Sequence, residues 1–209
     1  DAQQNKINHI IKKLNLKPGQ KVLDIGCGWG GLAFEIARQS QCEVKGISLS
    51  ENQINYCKKK ARELKMDNQV QFELCDYRKV KEKFQRIVSV GAFEHFGKKF
   101  YKTFFKKVND IMTEDGIFLL HTIGTVDSPG PGQPFIQKRI FPGGIIPSLS
   151  DLVNPIEKTG LILSDCETLI HHYDKTLKAW LDRFLMHKDK AKSMYNKEFV
   201  RMWEFYLSS

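Results

Sequence analysis

No apolar run in the 209 residues approaches the roughly 18 needed to span a bilayer, which excludes an integral helical membrane protein. The opening residues, Asp1-Ala2-Gln3-Gln4-Asn5-Lys6, lack the apolar core of a signal peptide, so nothing in them directs export and a cytoplasmic location is expected. Cysteines are few and unpatterned. Cys27, Cys42, Cys57, Cys75 and Cys166 are odd in number and show no C-x-x-C spacing, which argues against a disulfide framework and a zinc site. They read as reduced thiols, and no metal is expected. There is no RNP-like aromatic motif and no arginine-rich arm, so nucleic acid is not an expected partner. Internal repeats and low-complexity tracts are absent as well.

Acidic residues are in short supply: 24 Asp and Glu against 33 Lys and Arg leave a net charge of +9. Such a surplus favours an anionic partner (nucleic acid, an anionic membrane surface or an acidic small substrate), and a phospholipid surface explains it about as well as any of these. The lysines cluster at Lys58-Lys59-Lys60, at Lys98-Lys99 with Lys102 and Lys106-Lys107, and between Lys188 and Lys197, on helix faces expected to be solvated. The length suits one well-cored α/β domain.

Strands and helices alternate through the first 125 residues, the pattern of a mostly parallel, doubly wound sheet covered on both faces. Helices are expected at about Ala2 to Leu14, after the glycine turn that follows Ile25, from Ser50 to about Leu64, and at Phe100 to Met112. Strands are expected at Lys21 to Ile25, Glu43 to Ser48, Val70 to Leu74, Arg86 to Val90 and Ile117 to Ile123. Residues 125–150 are rich in Pro and Gly, as in Ser128-Pro129-Gly130-Pro131-Gly132 and Phe141-Pro142-Gly143-Gly144, and read as a lid over the site. A helix from about Ser150, a strand near Leu161 to Leu169, and amphipathic helices at Tyr173 to Met186 and Ala191 to Leu207 complete the chain.

The most informative segment is Val22-Leu23-Asp24-Ile25-Gly26-Cys27-Gly28-Trp29-Gly30-Gly31, a buried strand that ends in an acid and breaks into glycines. Glycine lets a ligand approach the backbone closely at a strand-to-helix turn. A dinucleotide fingerprint offers a helix N-terminus to a pyrophosphate, whereas an acid just before the first glycine repels phosphate and suits a cationic amino-acid group. The turn resembles the first motif of class I S-adenosylmethionine (SAM) methyltransferases; a nucleotide dehydrogenase or a structural turn are the alternatives.

Downstream, Val88-Ser89-Val90-Gly91-Ala92-Phe93-Glu94-His95-Phe96-Gly97, then Leu119-Leu120-His121-Thr122-Ile123-Gly124, Ile140-Phe141-Pro142-Gly143-Gly144 and His172-Tyr173-Asp174-Lys175-Thr176 resemble the cyclopropane-fatty-acyl-phospholipid synthase family over essentially the whole chain. The resemblance implies a Rossmann-like SAM methyltransferase fold and methylene transfer to a cis double bond of an unsaturated phospholipid acyl chain. The proton released in ring closure would go to a bound bicarbonate. It further implies that Glu94, His121, the Ile123 backbone and Tyr173 hold that ion; aromatic walls such as Phe93, Phe96 and Phe141 would stabilise positive charge through their π faces. For the cofactor it implies Asp24, Gly26, Cys27, Gly28 and Trp29, with Ser48 and Gln53 near the ribose and Asp76 and Tyr77 near the adenine. It places the enzyme in the cytoplasm, peripheral to the inner leaflet, and allows a homodimer of the full-length protein.

Plainer roles are open for several of these residues. Glu94 suits the first turn of a helix, His121 a satisfied core position, Tyr173 an amphipathic face, Gln53 a capping box with Ser50, and Asp76 a turn after a strand. The family's cysteine-bearing segment is expected before Asp1, and another cysteine with the last antiparallel strand after Ser209. The chain therefore reads as a catalytic domain truncated at both ends, weakly active by itself. A SAM-dependent methyltransferase of a small amine and a non-catalytic SAM or lipid-binding module are the competing functions.

Overall fold

The computed structural model describes residues 1–126, 129–130 and 132–209. By its contacts the chain divides into two compact units, Asp1–Pro131 with Gly144–Ile162, and Gly132–Gly143 with Leu163–Ser209. Ser128 and Pro131 of the first Pro/Gly run lie outside the described residues.

In the first unit, β1 (Lys21–Ile25), β2 (Glu43–Ser48), β3 (Val70–Leu74), β4 (Phe84–Val90) and β5 (Met112–His121) form one parallel sheet in the order β3-β2-β1-β4-β5. This is the doubly wound arrangement expected from the alternating pattern, with its reversal of strand order between β1 and β4. Strand periodicity sorts neighbouring residues onto opposite faces. Val22, Val44, Val70 and Val88 pack with Ile10 and Leu14 of α1 (Ala2–Leu14), Ala33 and Ile36 of α2 (Gly31–Ser40) and Ile54 of α3 (Glu51–Glu63). Leu23, Ile25, Ile47 and Ile87 face the other way, toward α4 (Tyr101–Ile111).

α4 contributes Tyr101, Phe104, Phe105, Val108 and Ile111, a helical stripe that is wholly buried. Each such large side chain stabilises the fold by about 1.5–3 kcal/mol relative to exposure. α5 (Leu149–Glu157) adds Leu152 and Ile156 to the same cluster.

A buried cation closes the opposite edge. Arg86, in β4, is 4% exposed, and its guanidinium donates to the carbonyls of Leu14 (2.7 Å), Asn15 (3.2 Å) and Gln85 (2.7 Å). It thereby satisfies carbonyls at the end of α1 that have no partner within the helix.

In the second unit, α8 (Lys197–Ser208) buries Val200, Tyr206 and Leu207 and packs against α6 (Ile170–Met186). Phe135 meets Phe205 and Phe141 meets Tyr206, at centroid distances of 5.0 and 6.0 Å. α7 (Lys188–Met194) is tied to α8 by Lys188–Glu204 at 2.8 Å.

Several expectations need correction. The strand near Leu161 to Leu169 does not form: residues 161–169 make no ladder, and Ile162 and Leu163 are exposed. An isolated strand has no stability without neighbours to complete its hydrogen bonds. The helix expected over Ala191 to Leu207 is broken in two, because Asn196 adopts an extended conformation and its side chain caps α8 by accepting from Phe199 N–H at 2.7 Å. β5 starts at Met112 rather than Ile117, with a register shift as Phe84 pairs with Met112 and Arg86 with Ile117. The Pro/Gly segment holds a π-helical turn over Ile136–Ile140.

We expect Arg86→Met to destabilise the protein by about 2–3 kcal/mol, because buried carbonyls lose a charged donor. Urea unfolding with an unchanged m-value measures this, and a loss below about 0.5 kcal/mol would remove Arg86 from the list of structural keystones.

Candidate functional site

β1 runs into its turn through two main-chain bonds: Gly26 N–H and Cys27 N–H both donate to the Ile47 carbonyl, at 2.9 and 3.0 Å. The turn is thus fastened to the end of β2. Gly26 has φ +80°, and a Cβ there would lie 2.5 Å from Cβ of Ala92, so only glycine allows the segment after β4 to close on the turn. Gly28, at φ +55°, is different in kind, since a Cβ would meet nothing within 4 Å. Its backbone faces open space.

Asp24 lies beneath this turn, 2% exposed, with Oδ2 lacking any hydrogen-bond partner. Burial raises its pKa to about 7, because nothing nearby replaces the water a carboxylate loses. The thiols of Cys27 and Cys57 lie against the Gly28 carbonyl, at 3.9 and 3.5 Å. Burial first and Asp24 second push both up, Cys57 to about 11, so both remain protonated. A buried unpaired acid below an open glycine backbone fits a ligand with a cationic group.

Around the turn stand the other expected cofactor residues. Ser48 Oγ donates to Gln53 Oε1 at 2.8 Å and accepts from Ser50 N–H at 3.2 Å. Ser50 caps α3 by accepting from Gln53 N–H, yet the Gln53 side chain turns to Ser48 instead of completing a capping box. Trp29 is 58% exposed and meets Tyr56 edge-on at 5.3 Å. The carboxylate of Asp76 is engaged by Arg78 Nε at 3.0 Å and also accepts from Arg78 N–H, the turn role foreseen as its alternative. Tyr77 stacks on Phe96 at 5.3 Å.

The second cluster occupies the same edge. Glu94 lies in the short 3-10 turn Phe93–His95 and is 9% exposed; Oε1 accepts from Ile123 N–H at 2.7 Å, while Oε2 is buried and unpartnered. His121 ends β5 opposite Val90, its carbonyl accepting from Gly91 N–H at 3.0 Å and its Nδ1 buried without a partner. Burial lowers the His121 pKa, with Lys6 adding to the effect and Glu94 opposing it, so the ring is neutral at pH 7. Ile123 therefore spends its N–H on Glu94. Tyr173 belongs to the second unit, where it is hydrogen-bonded to Tyr206.

Phe93 is fully buried against Tyr101 and Phe105, so it is core and not a pocket wall. Sequence reasoning passed over Ala92, whose small size admits the glycine turn, and Ser89, whose hydroxyl donates to the Ile25 carbonyl at 3.0 Å. Neither carries a local signal, because each matters only through a segment distant in sequence.

The raised acid makes a signed prediction for the ligand-free protein. The unfolded chain releases the Asp24 proton near 3.8 and the folded chain holds it to about 7, so this residue's contribution to stability is full below the lower value and lost as pH rises through the upper one. The stability of Asp24→Asn relative to the parent should therefore increase between pH 4 and pH 8, by on the order of a few kcal/mol. A pH-independent difference in urea unfolding would contradict it.

A family model described as mycolic acid cyclopropane synthetase matches residues 1–209. The chain is 42% identical over 208 residues to the cyclopropane-fatty-acyl-phospholipid synthase of Escherichia coli (strain K12), covering 100% of this chain and 53% of that protein. It thus spans about half the length of that curated relative. The structure of the cyclopropane synthase MmaA2 from Mycobacterium tuberculosis superposes with a TM-score of 0.88 at 33% identity, covering 99% of this chain and 77% of that one. Mycolic acid cyclopropane synthase CmaA1, complexed with SAH and CTAB, gives 0.87 at 32% identity with the same coverage. On the whole-length match and the shared class I methyltransferase fold, the chain belongs to the mycolic acid cyclopropane synthetase family.

Proposed function

We propose that the chain is the catalytic domain of a SAM-dependent enzyme that builds a cyclopropane ring across a cis double bond of an unsaturated phospholipid acyl chain. The observation that carries this reading is the pair of buried, unpartnered atoms Glu94 Oε2 and His121 Nδ1 beside the open glycine turn.

SAM supplies an electrophilic methyl group when bound. In this reading the Gly26 to Gly28 backbone receives it, and Asp24 faces its ammonium group, whose charge replaces the missing solvation and brings the carboxylate back to its ionised form. Ser48 and Gln53 serve the ribose hydroxyls in place of an acid, Asp76 and Tyr77 border the adenine, and Cys27 and Trp29 complete the seat. The acyl double bond would take up the methyl group as its bond to the sulfonium sulfur breaks and the neutral thioether S-adenosylhomocysteine leaves, and ring closure would release one proton. His121, neutral because it is buried, and Glu94, oriented by Ile123 N–H, are this chain's groups for managing that proton. Their unpartnered atoms fit a bicarbonate ion, which would supply a base there.

The lysine clusters and the net charge of +9 support docking on an anionic membrane surface from the cytoplasmic side. No helix among the described residues is long and apolar enough to cross a membrane. The homodimer allowed by the resemblance would be a property of the full-length protein.

Lipid mass spectrometry of cells making the full-length protein tests the reading. Each modified unsaturated acyl chain should gain one methylene and lose its double bond, with headgroup masses unchanged; a methylated headgroup, or no change, would overturn it. Glu94→Gln should lower turnover by about a hundredfold or more. Gly28→Ala separates folding from cofactor binding: the left-handed backbone costs about 1–2 kcal/mol, yet the protein folds because the new methyl meets nothing, while SAM binding by calorimetry should fall at least tenfold. Unchanged affinity would show that the turn is not the seat.

A further inference from the structure

Glu94 is held by more than its own bond to Ile123. Its main-chain carbonyl accepts from Ile145 N–H at 2.9 Å, so the chain that returns after the Pro/Gly segment is anchored on it. That returning chain is itself tied down. Thr125 N–H donates to the Pro147 carbonyl at 2.9 Å, and Thr125 bridges Ser148 in parallel. Ser148 then caps α5 through a capping box, with Asp151 Oδ2 accepting from both the Ser148 N–H and its hydroxyl at 3.0 Å.

The same Asp151 oxygen receives Lys98 Nζ at 2.9 Å, with the two side chains 34% and 15% exposed. Lys98 is four residues beyond Glu94 on the segment after β4. The contacts therefore close a ring: from Glu94 along the chain to Lys98, across to Asp151, back through Ser148 to Ile145, and across to Glu94 again. The segment after β5 joins it at Ile123 and Thr125. Burial alone would push the Asp151 carboxyl up, but Lys98 and the Ser148 donors outweigh it and hold the group below its ordinary range. The Tyr101 hydroxyl is buried and unpartnered, and burial first, then the charges of Asp151 and Glu94, push its pKa up.

We propose that the Lys98–Asp151 ion pair is a positioning latch that fixes the Glu94 carboxylate by locking the start of α5 to the segment after β4. The pair touches no reacting group, and its effect passes through Ile145 and the Ile123 contact. This inference rests on the assignment of Glu94 to the chemistry, but the latch can be read without turnover. In the full-length protein, Lys98→Ala should accelerate hydrogen–deuterium exchange about three- to fivefold in peptides covering residues 121–126 and 144–149, and leave the peptide covering β1 unchanged. kcat should fall by a similar factor with KM for the acyl substrate unchanged, and Lys98→Arg should restore both. The Lys98→Ala/Asp151→Ala double variant should be no worse than Asp151→Ala alone.

Unchanged exchange in Lys98→Ala, or effects of the two single changes that multiply in the double variant, would overturn the latch. If the parent protein forms no cyclopropane while exchange responds as expected, the proposed function falls and the latch stands.

Discussion

Two amide groups converging on one carbonyl organise the whole carboxyl edge of this sheet. Gly26 and Cys27 both donate to Ile47, so the turn after β1 cannot rise away from the end of β2. With the turn pinned there, Ala92 can settle within van der Waals range of Gly26, and the segment carrying Glu94 starts from a fixed point. Weaken that junction and both halves of the site lose their common reference. The strand order reverses at this place, between β1 and β4, which is where open α/β sheets leave a crevice for ligands.

The site accepts a local loss of stability. Asp24, Glu94 and His121 each bury a polar atom with no partner, and such atoms cost about 1–3 kcal/mol apiece when left unsatisfied. The neighbouring core offsets this with large, well-packed side chains, notably the aromatic stripe of α4 meeting Phe93. Arg86 makes a contrast: it too is buried, but its donors are matched to carbonyls at the closed edge. Polar groups are satisfied at the structural end of the sheet and left open at the functional end.

Much of this was legible in the residues. The first three strands and the helix ends at Leu14 and Ser50 follow from apolar periodicity, turn residues and capping chemistry, all of which act over a few neighbouring positions. The placement of Asp24, Trp29, Ser48, Asp76, Glu94 and His121 at the carboxyl ends of successive strands was legible too, because parallel topology sends every such segment to one edge. Local signals misled where the outcome depended on a partner. The apolar residues of 161–169 suit a strand in composition, but a strand exists only as part of a ladder. Phe93 suits a pocket wall until the aromatic side chains of α4 enclose it.

The alternating architecture, the acid-and-glycine turn and the motif residues were set locally, because these depend on backbone freedom and hydrophobic period within short windows. Which polar atoms end up buried and alone, that Gln53 reaches Ser48 instead of completing a cap, and that Lys98 meets Asp151 more than fifty residues away were settled by folding. Those outcomes depend on distances between segments far apart in the chain, and a residue's solvation is set by what folds over it.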